Sequence, residues 1–213
     1  MITKPIAMKS FADFVSGTEA TKLRVLRQYK YPNEEGLAMS RYYHPAKATI
    51  IEFNRDKRGI DWALDQAVEL EKKALTPSKS LRNKLVLNSK AIRNYVQYFG
   101  AQHFNILKDQ KFPFLLNEVK INVTPDIHTT HKGQDRYMKL YFGAKKPKYE
   151  FVRAILNCMA YGVSVNGGEI AGQSVVFVDV VRGNISPGVP LTDEIIEELT
   201  QHCADISNLW QAL

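Results

Sequence analysis

Cysteine is scarce in this chain of 213 residues: there are only two, Cys158 and Cys203. Two thiols cannot hold a four-thiolate iron-sulfur cluster or a cysteine-rich zinc centre, so no iron-sulfur cluster is expected, and a reducing compartment makes a structural disulfide unexpected as well. Long apolar runs are missing too. No stretch approaches the roughly 18 to 20 apolar residues that span a bilayer. The opening Met1-Ile2-Thr3-Lys4-Pro5-Ile6 also lacks the continuous apolar core of a secretion signal. The expectation is a cytoplasmic protein without a membrane partner. Glycine-rich phosphate loops are absent in both the Gly-x-Gly-x-x-Gly and Gly-x-x-x-x-Gly-Lys-Ser/Thr forms, as is the Gly-x-Ser-x-Gly elbow of hydrolases, which removes support for nucleotide-dependent and serine-ester chemistry. Gly167-Gly168 reads as a turn. There is no internal repeat and no low-complexity segment.

What is present is ordinary folded composition, with 45% hydrophobic and 24% charged residues. The length allows one domain, or one compact domain with a helical extension. The formal net charge of +7 is unevenly spread. Residues 1–110 carry 19 basic against 11 acidic side chains, and residues 132–153 carry seven (Lys132, Arg136, Lys139, Lys145, Lys146, Lys148, Arg153) against two. Residues 154–213 carry one, Arg182, against seven acids. The acidic tail is a poor surface for a polyanion, whereas the basic stretches can attract phosphates or simply keep the chain soluble.

Hydrophobic periodicity predicts helices over 9–16, 18–29, 47–53, 61–75 and 80–99. His44-Pro45 reads as a break before the third, and Leu64, Ala67, Val68 and Leu75 as the buried stripe of the fourth. The fifth mixes Arg82, Lys84, Lys90 and Arg93 with Tyr95, Tyr98 and Phe99, a blend that can stack bases and hold phosphates, although aromatics at helical spacing more often face a core. Beyond Pro113 the period changes. Residues 119–123 alternate apolar and polar, 136–142 are rich in strand formers, and His131-Lys132-Gly133-Gln134 supplies a turn, so a hairpin with a long loop is expected. A helix over 149–161, an apolar strand within 173–181 and a helix capped by Thr192 complete a β-β-α-β-α order.

Pro125-Asp126 at the end of the first strand, Lys139 in the second and the helix and strand that follow resemble the layout of the PD-(D/E)XK nuclease superfamily. In that layout an Asp and a neighbouring Asp or Glu share one or two divalent cations, while a Lys two residues after the second acid steadies the phosphorane. The helix carries Asn157-Cys-Met-Ala-Tyr161, similar to the Gln-x-x-x-Tyr motif of the RecB-like exonuclease branch. The resemblance covers roughly residues 115–182 and implies a restriction-endonuclease-like α/β fold: a mixed sheet core flanked by helices over 111–213, preceded by a helical N-terminal region over 1–110.

Carried residue by residue, the resemblance makes Asp126 the first acid and Lys139 the lysine, but Tyr137 stands where Asp or Glu is expected. A phenol titrating near 10 is no hard ligand at neutral pH. Glu150, at the start of the following helix, is the first substitute, since some members supply the acid from there; Asp135 is the second and Glu118 the third. The implied catalytic set is Asp126, Lys139 and Glu150, and the metal set is Asp126, Glu150 and Asp135 with Mg²⁺ or Mn²⁺. Asn157, Tyr161, Lys145, Lys146, Lys148 and Arg93 are the candidate nucleic-acid contacts. His128 and His131, read in the hairpin loop, are candidate ligands or solvated loop residues. The implied function is nuclease-like processing or binding of DNA, in repair or in defence against foreign DNA. The alternative is a catalytically inactive nuclease-fold subunit that binds nucleic acid or a protein partner within a larger complex.

Overall fold

The computed structural model describes residues 4–32, 42–75, 78–131, 133–168, 170 and 174–213, without the side chain of His131. The elements run β1 (Ile6–Ala7), α1 (Met8–Ser16), α2 (Glu19–Lys30), α3 (His44–Arg55), α4 (Ile60–Lys73), α5 (Lys79–Phe99), β2 (Phe114–Leu116), β3 (Val119–Asn122), β4 (Ile127–His131), β5 (Gln134–Tyr141), α6 (Tyr149–Val165), β6 (Val175–Asp179), β7 (Asn184–Pro187) and α7 (Asp193–Ala212). The chain is α/β; among the described residues five helices precede residue 100, and there are two mixed sheets, one in the order β1-β3-β2 and one in the order β4-β5-β6-β7. Among the described residues no helix is long and apolar enough to cross a membrane.

A hairpin into β5 is present, but residues 119–123 are not its first strand as expected. Residues 119–122 pair with β2 and β1 in the smaller sheet, turning back at Asn117 and Glu118, both with positive φ (43° and 62°). Two such residues make the tight turn whose twist matches paired strands. The true partner of β5 is β4, with Ile127 opposite Met138 and His128 opposite Tyr137. The expected long loop is therefore itself a strand. Its Ile-His-Thr-Thr-His sequence hides the alternation behind polar residues, while Ile127, Thr129 and Thr130 supply the β-branching that favours extended backbone. The turn into β5 includes Gly133 at φ 79°, a conformation cheap only without a Cβ. The second half thus runs β-β-β-β-α-β-β-α, with four strands before the helix instead of two and β7 added after β6.

After β5 the chain crosses through α6 and returns as β6, parallel to β5 with Lys139 opposite Phe177. All five β6 residues are buried, as the apolar run predicts for a central strand covered on both faces. Alternate residues serve two cores. Tyr137, Val175 and Phe177 join α1, α2, α6, α7 and the smaller sheet, while Ile127, Met138, Leu140, Val176 and Val178 join α3, α4 and α5. Helix α6 lies so close to the smaller sheet that a Cβ at Gly162 would stand 2.8 Å from the Phe112 carbonyl oxygen.

The predicted helices are present, with two corrections. Helix α3 begins at His44 and takes Pro45 into its first turn, where the missing N–H costs nothing. In α4 the fully buried positions are Ala63 and Ala67, while Leu75 lies beyond the helix end and is 75% exposed. Thr192 does stand before α7, but its side chain makes no capping hydrogen bond.

Candidate functional site around Asp126

Asp126 precedes β4, rather than ending the strand before it, and extends the β4–β5 ladder by one step: its N–H donates to the Met138 carbonyl at 2.8 Å. That register brings its carboxylate to Lys139. Oδ1 lies 3.1 Å from the Lys139 ammonium and Oδ2 accepts the Leu140 N–H at 2.9 Å. A second ammonium arrives from the helical region, because Lys47 of α3 places Nζ 2.5 Å from the same Oδ1. Asp126 is 6% exposed. Burial pushes its carboxyl upward, but Lys139, Lys47 and the Leu140 N–H together outweigh burial and hold it below the usual carboxylate value.

Lys47 has a specific support. The side-chain amide of Asn88, fully buried on α5, accepts the Ala46 N–H at 2.9 Å and donates to the Tyr42 and Lys84 carbonyls. It thereby satisfies one of the orphan donors at the start of α3, which no side chain within that helix caps. Neither Lys47 nor Asn88 was selected from the sequence, since nothing local marks a lysine that reaches a carboxylate on a distant strand.

Tyr137 fills the position of the expected second acid and is committed elsewhere. Its ring stacks on His128 with centroids 4.5 Å apart and meets Phe112 edge-on at 5.1 Å, and its hydroxyl donates to Asp135 at 3.2 Å. Burial first, and then the Asp135 charge, push the phenol up to about 12, so it stays protonated at neutral pH. His128 sits in β4, not in a loop; its Nδ1 bonds the Lys108 carbonyl at 3.2 Å and its Nε2 lies 3.4 Å from Asp135 without a hydrogen bond.

The substitute acids do not gather at Asp126. Asp135 belongs to the His128–Tyr137 group and, four strand residues from Lys139, lies roughly 13 Å along β5. Glu150 is exposed in the first turn of α6, with no hydrogen bond or ion pair to Asp126 or Lys139. Glu118 occupies the β2–β3 turn of the other sheet. Among the described residues no three His, Cys, Asp or Glu side chains converge to hold a metal. The donors at Asp126 do not fit Mg²⁺ or Mn²⁺ as arranged: one carboxylate has both oxygens engaged, and two ammoniums beside it repel a divalent cation.

The candidate nucleic-acid contacts are dispersed. Arg93 directs Nε and Nη2 at Glu71 at 3.1 and 3.0 Å, and Lys148 donates to the Ser16 carbonyl at 2.9 Å. Asn157 is 5% exposed, and the Tyr161 ring packs edge-on against Phe114 at 5.0 Å. Lys145 and Lys146 are exposed on the loop after β5. Arg182 organises that loop: it grips both oxygens of the buried Asp179 and donates to the Gly143 and Ala144 carbonyls, while the Tyr141 hydroxyl donates to the Lys145 carbonyl at 3.0 Å.

Comparison with known protein families finds no matching family model, and comparison with curated proteins finds no match.

Proposed function

We propose that this chain is a nuclease-like DNA-binding protein, built on the plan of the PD-(D/E)XK core, that grips DNA without hydrolysing it. The observation that carries the reading is the meeting of Asp126 and Lys139 on an antiparallel pair whose second strand is followed by a crossover helix and a parallel strand. That order and that pair match part of the superfamily layout, whose second acid is replaced by Tyr137 here. Three features favour binding over hydrolysis. Tyr137 occupies the second acid's position and is buried among aromatic rings. The substitute acids stand elsewhere, and two ammoniums already occupy the one carboxylate present. The basic surplus of residues 1–110 and 132–153 supplies the sequence-independent attraction that DNA phosphates provide for.

The test is to follow binding and cleavage of labelled single-stranded and duplex DNA together, with EDTA and with Mg²⁺ or Mn²⁺. Salt-sensitive binding without strand scission is expected in every condition. Metal-dependent cleavage that disappears in Asp126→Ala overturns the non-hydrolytic reading and makes Glu150 the next residue to change. A folded protein that binds neither form at low salt overturns the DNA reading altogether.

A further inference from the structure

Resting on the DNA-binding reading, the geometry points to a metal-free phosphate clamp made by Lys47 and Lys139, in which Lys47 takes the place on Asp126 that a divalent cation would need. A carboxylate pair is an anionic site that recruits a cation, and the cation then recruits phosphate. Here one carboxylate carries two ammoniums, so the cluster is itself cationic by one charge and can meet phosphate directly. The donors are available. Lys139 Nζ spends one N–H on Asp126 and one on the Thr124 carbonyl, which leaves a third. Among the described residues Lys47 Nζ has the Asp126 oxygen as its one partner, which leaves two.

Both lysine side chains are partly exposed, 35% for Lys47 and 21% for Lys139, although their counterion is 6% exposed. Because they touch the same oxygen, one phosphate group can touch both. The buried carboxylate fixes where they stand, Asn88 fixes the start of α3, and the β5 register fixes Lys139. A pair of solvated surface lysines has none of these constraints. The ligand chemistry is an anionic phosphate oxygen, supplied either by a nucleic-acid backbone or by a small phosphate monoester. The backbone is the source favoured by the basic charge elsewhere on the chain.

The experiment measures fluorescence anisotropy of a labelled oligodeoxynucleotide in EDTA over a salt series, with inorganic phosphate and a nucleoside monophosphate as competitors. The proteins are the full chain and its Lys47→Gln, Lys47→Arg, Lys139→Gln, Asp126→Asn and Lys72→Gln variants, each checked for folding by circular dichroism and urea midpoint. Expected is a loss of about ten-fold in affinity for Lys47→Gln and for Lys139→Gln, with the log-log salt slope reduced by about one in each. Lys47→Arg should retain binding. Lys72→Gln, the same charge change at an ammonium paired with Glu69, should change neither quantity. Asp126→Asn, which removes the anchor holding both ammoniums, should weaken competition by the small phosphates, which need both lysines at once.

Competition by the small phosphates, lost in the two lysine variants, supports the clamp even where DNA itself binds weakly, and then the DNA reading fails alone. DNA binding that needs Mg²⁺ and vanishes in EDTA overturns the clamp. So does DNA binding unchanged in both lysine variants, and that outcome leaves the DNA reading standing. No binding of either probe by folded protein overturns both.

Discussion

Replacing Asp126 by Asn keeps the shape of the side chain and removes its charge, so it isolates what the two lysines contribute. The amide oxygen can still accept the Leu140 N–H, while Lys47 and Lys139 lose their common counterion. Breaking a buried ion pair from one side costs about 3–5 kcal/mol when the remaining charge stays buried. Both ammoniums can turn partly to water here, which lowers the expected cost to about 2–3 kcal/mol. Asp126→Ala also orphans the Leu140 N–H, adding about 1–3 kcal/mol for an unsatisfied buried donor. With a urea slope of about 2 kcal/mol per molar, the Asn variant should lose about 1–1.5 M in midpoint at pH 7, and the Ala variant more. The sign of the pH dependence follows from the depressed carboxyl. Its contribution is present above the ordinary unfolded value near 4 and is lost as pH falls through the lower folded value. Parent and Asn variant should therefore converge below about pH 4. An Asn variant as stable as the parent at pH 7, or a gap that persists undiminished in acid, refutes the assignment of Asp126 as the charged anchor of both lysines.

Asn88→Ala removes three hydrogen bonds at a fully buried position and uncaps α3; it should cost about 2–3 kcal/mol by urea unfolding and weaken DNA binding through the displaced Lys47. Tyr137 and Tyr95 are both pushed up to about 12, so in an ultraviolet titration they should be the last tyrosines to ionise. Because a raised phenol stabilises the fold below its unfolded value near 10 and ceases to do so as pH climbs through the folded value, stability should fall between about pH 10 and 12, less steeply in Tyr137→Phe. Arg182→Lys cannot reproduce the forked grip on Asp179 together with the two loop carbonyls. Faster amide hydrogen exchange across residues 143–148 is expected, with a stability loss of about 2–3 kcal/mol by urea unfolding.

The helices were legible because 3.6-residue periodicity survives in one sequence: 61–75 and 80–99 lie within a residue or two of α4 and α5. The apolar strand β6 was legible from composition alone. Strand β4 was not, because its face toward the α3–α5 core uses Ile127 and Thr129 while its other face carries His128 opposite Tyr137, so neither face reads as a simple apolar stripe. The short strand β1 depends on a partner far away in the chain; Ile6 pairs with Ile121, which no local pattern announces. At the site, the resemblance to the nuclease layout singled out Asp126 and Lys139, and Tyr137 as the break in its pattern. Lys47 was not, since its role depends on tertiary placement.

Two features that look unrelated in the sequence act on the site in one direction. A tyrosine in place of an acid subtracts a negative charge from the face of β5, and it is held there by His128, Phe112 and the Asp135 hydrogen bond, so no carboxylate can fold into that space without displacing the rings. Lys47 then adds a second positive charge at the same carboxylate oxygen that Lys139 holds. Either change alone would leave a cation site weakened; a lone Asp with one lysine is close to neutral and can still accept a metal when another acid swings in. Both changes together reverse the sign of the local field, and sign is what selects the ligand at close range, since opposite and like charges a few ångströms apart differ by several kcal/mol at a partly buried site. A site that has reversed its sign no longer needs a metal to meet phosphate, and it also loses the means to activate water. On the proposed function, binding without hydrolysis rests on the same two residues.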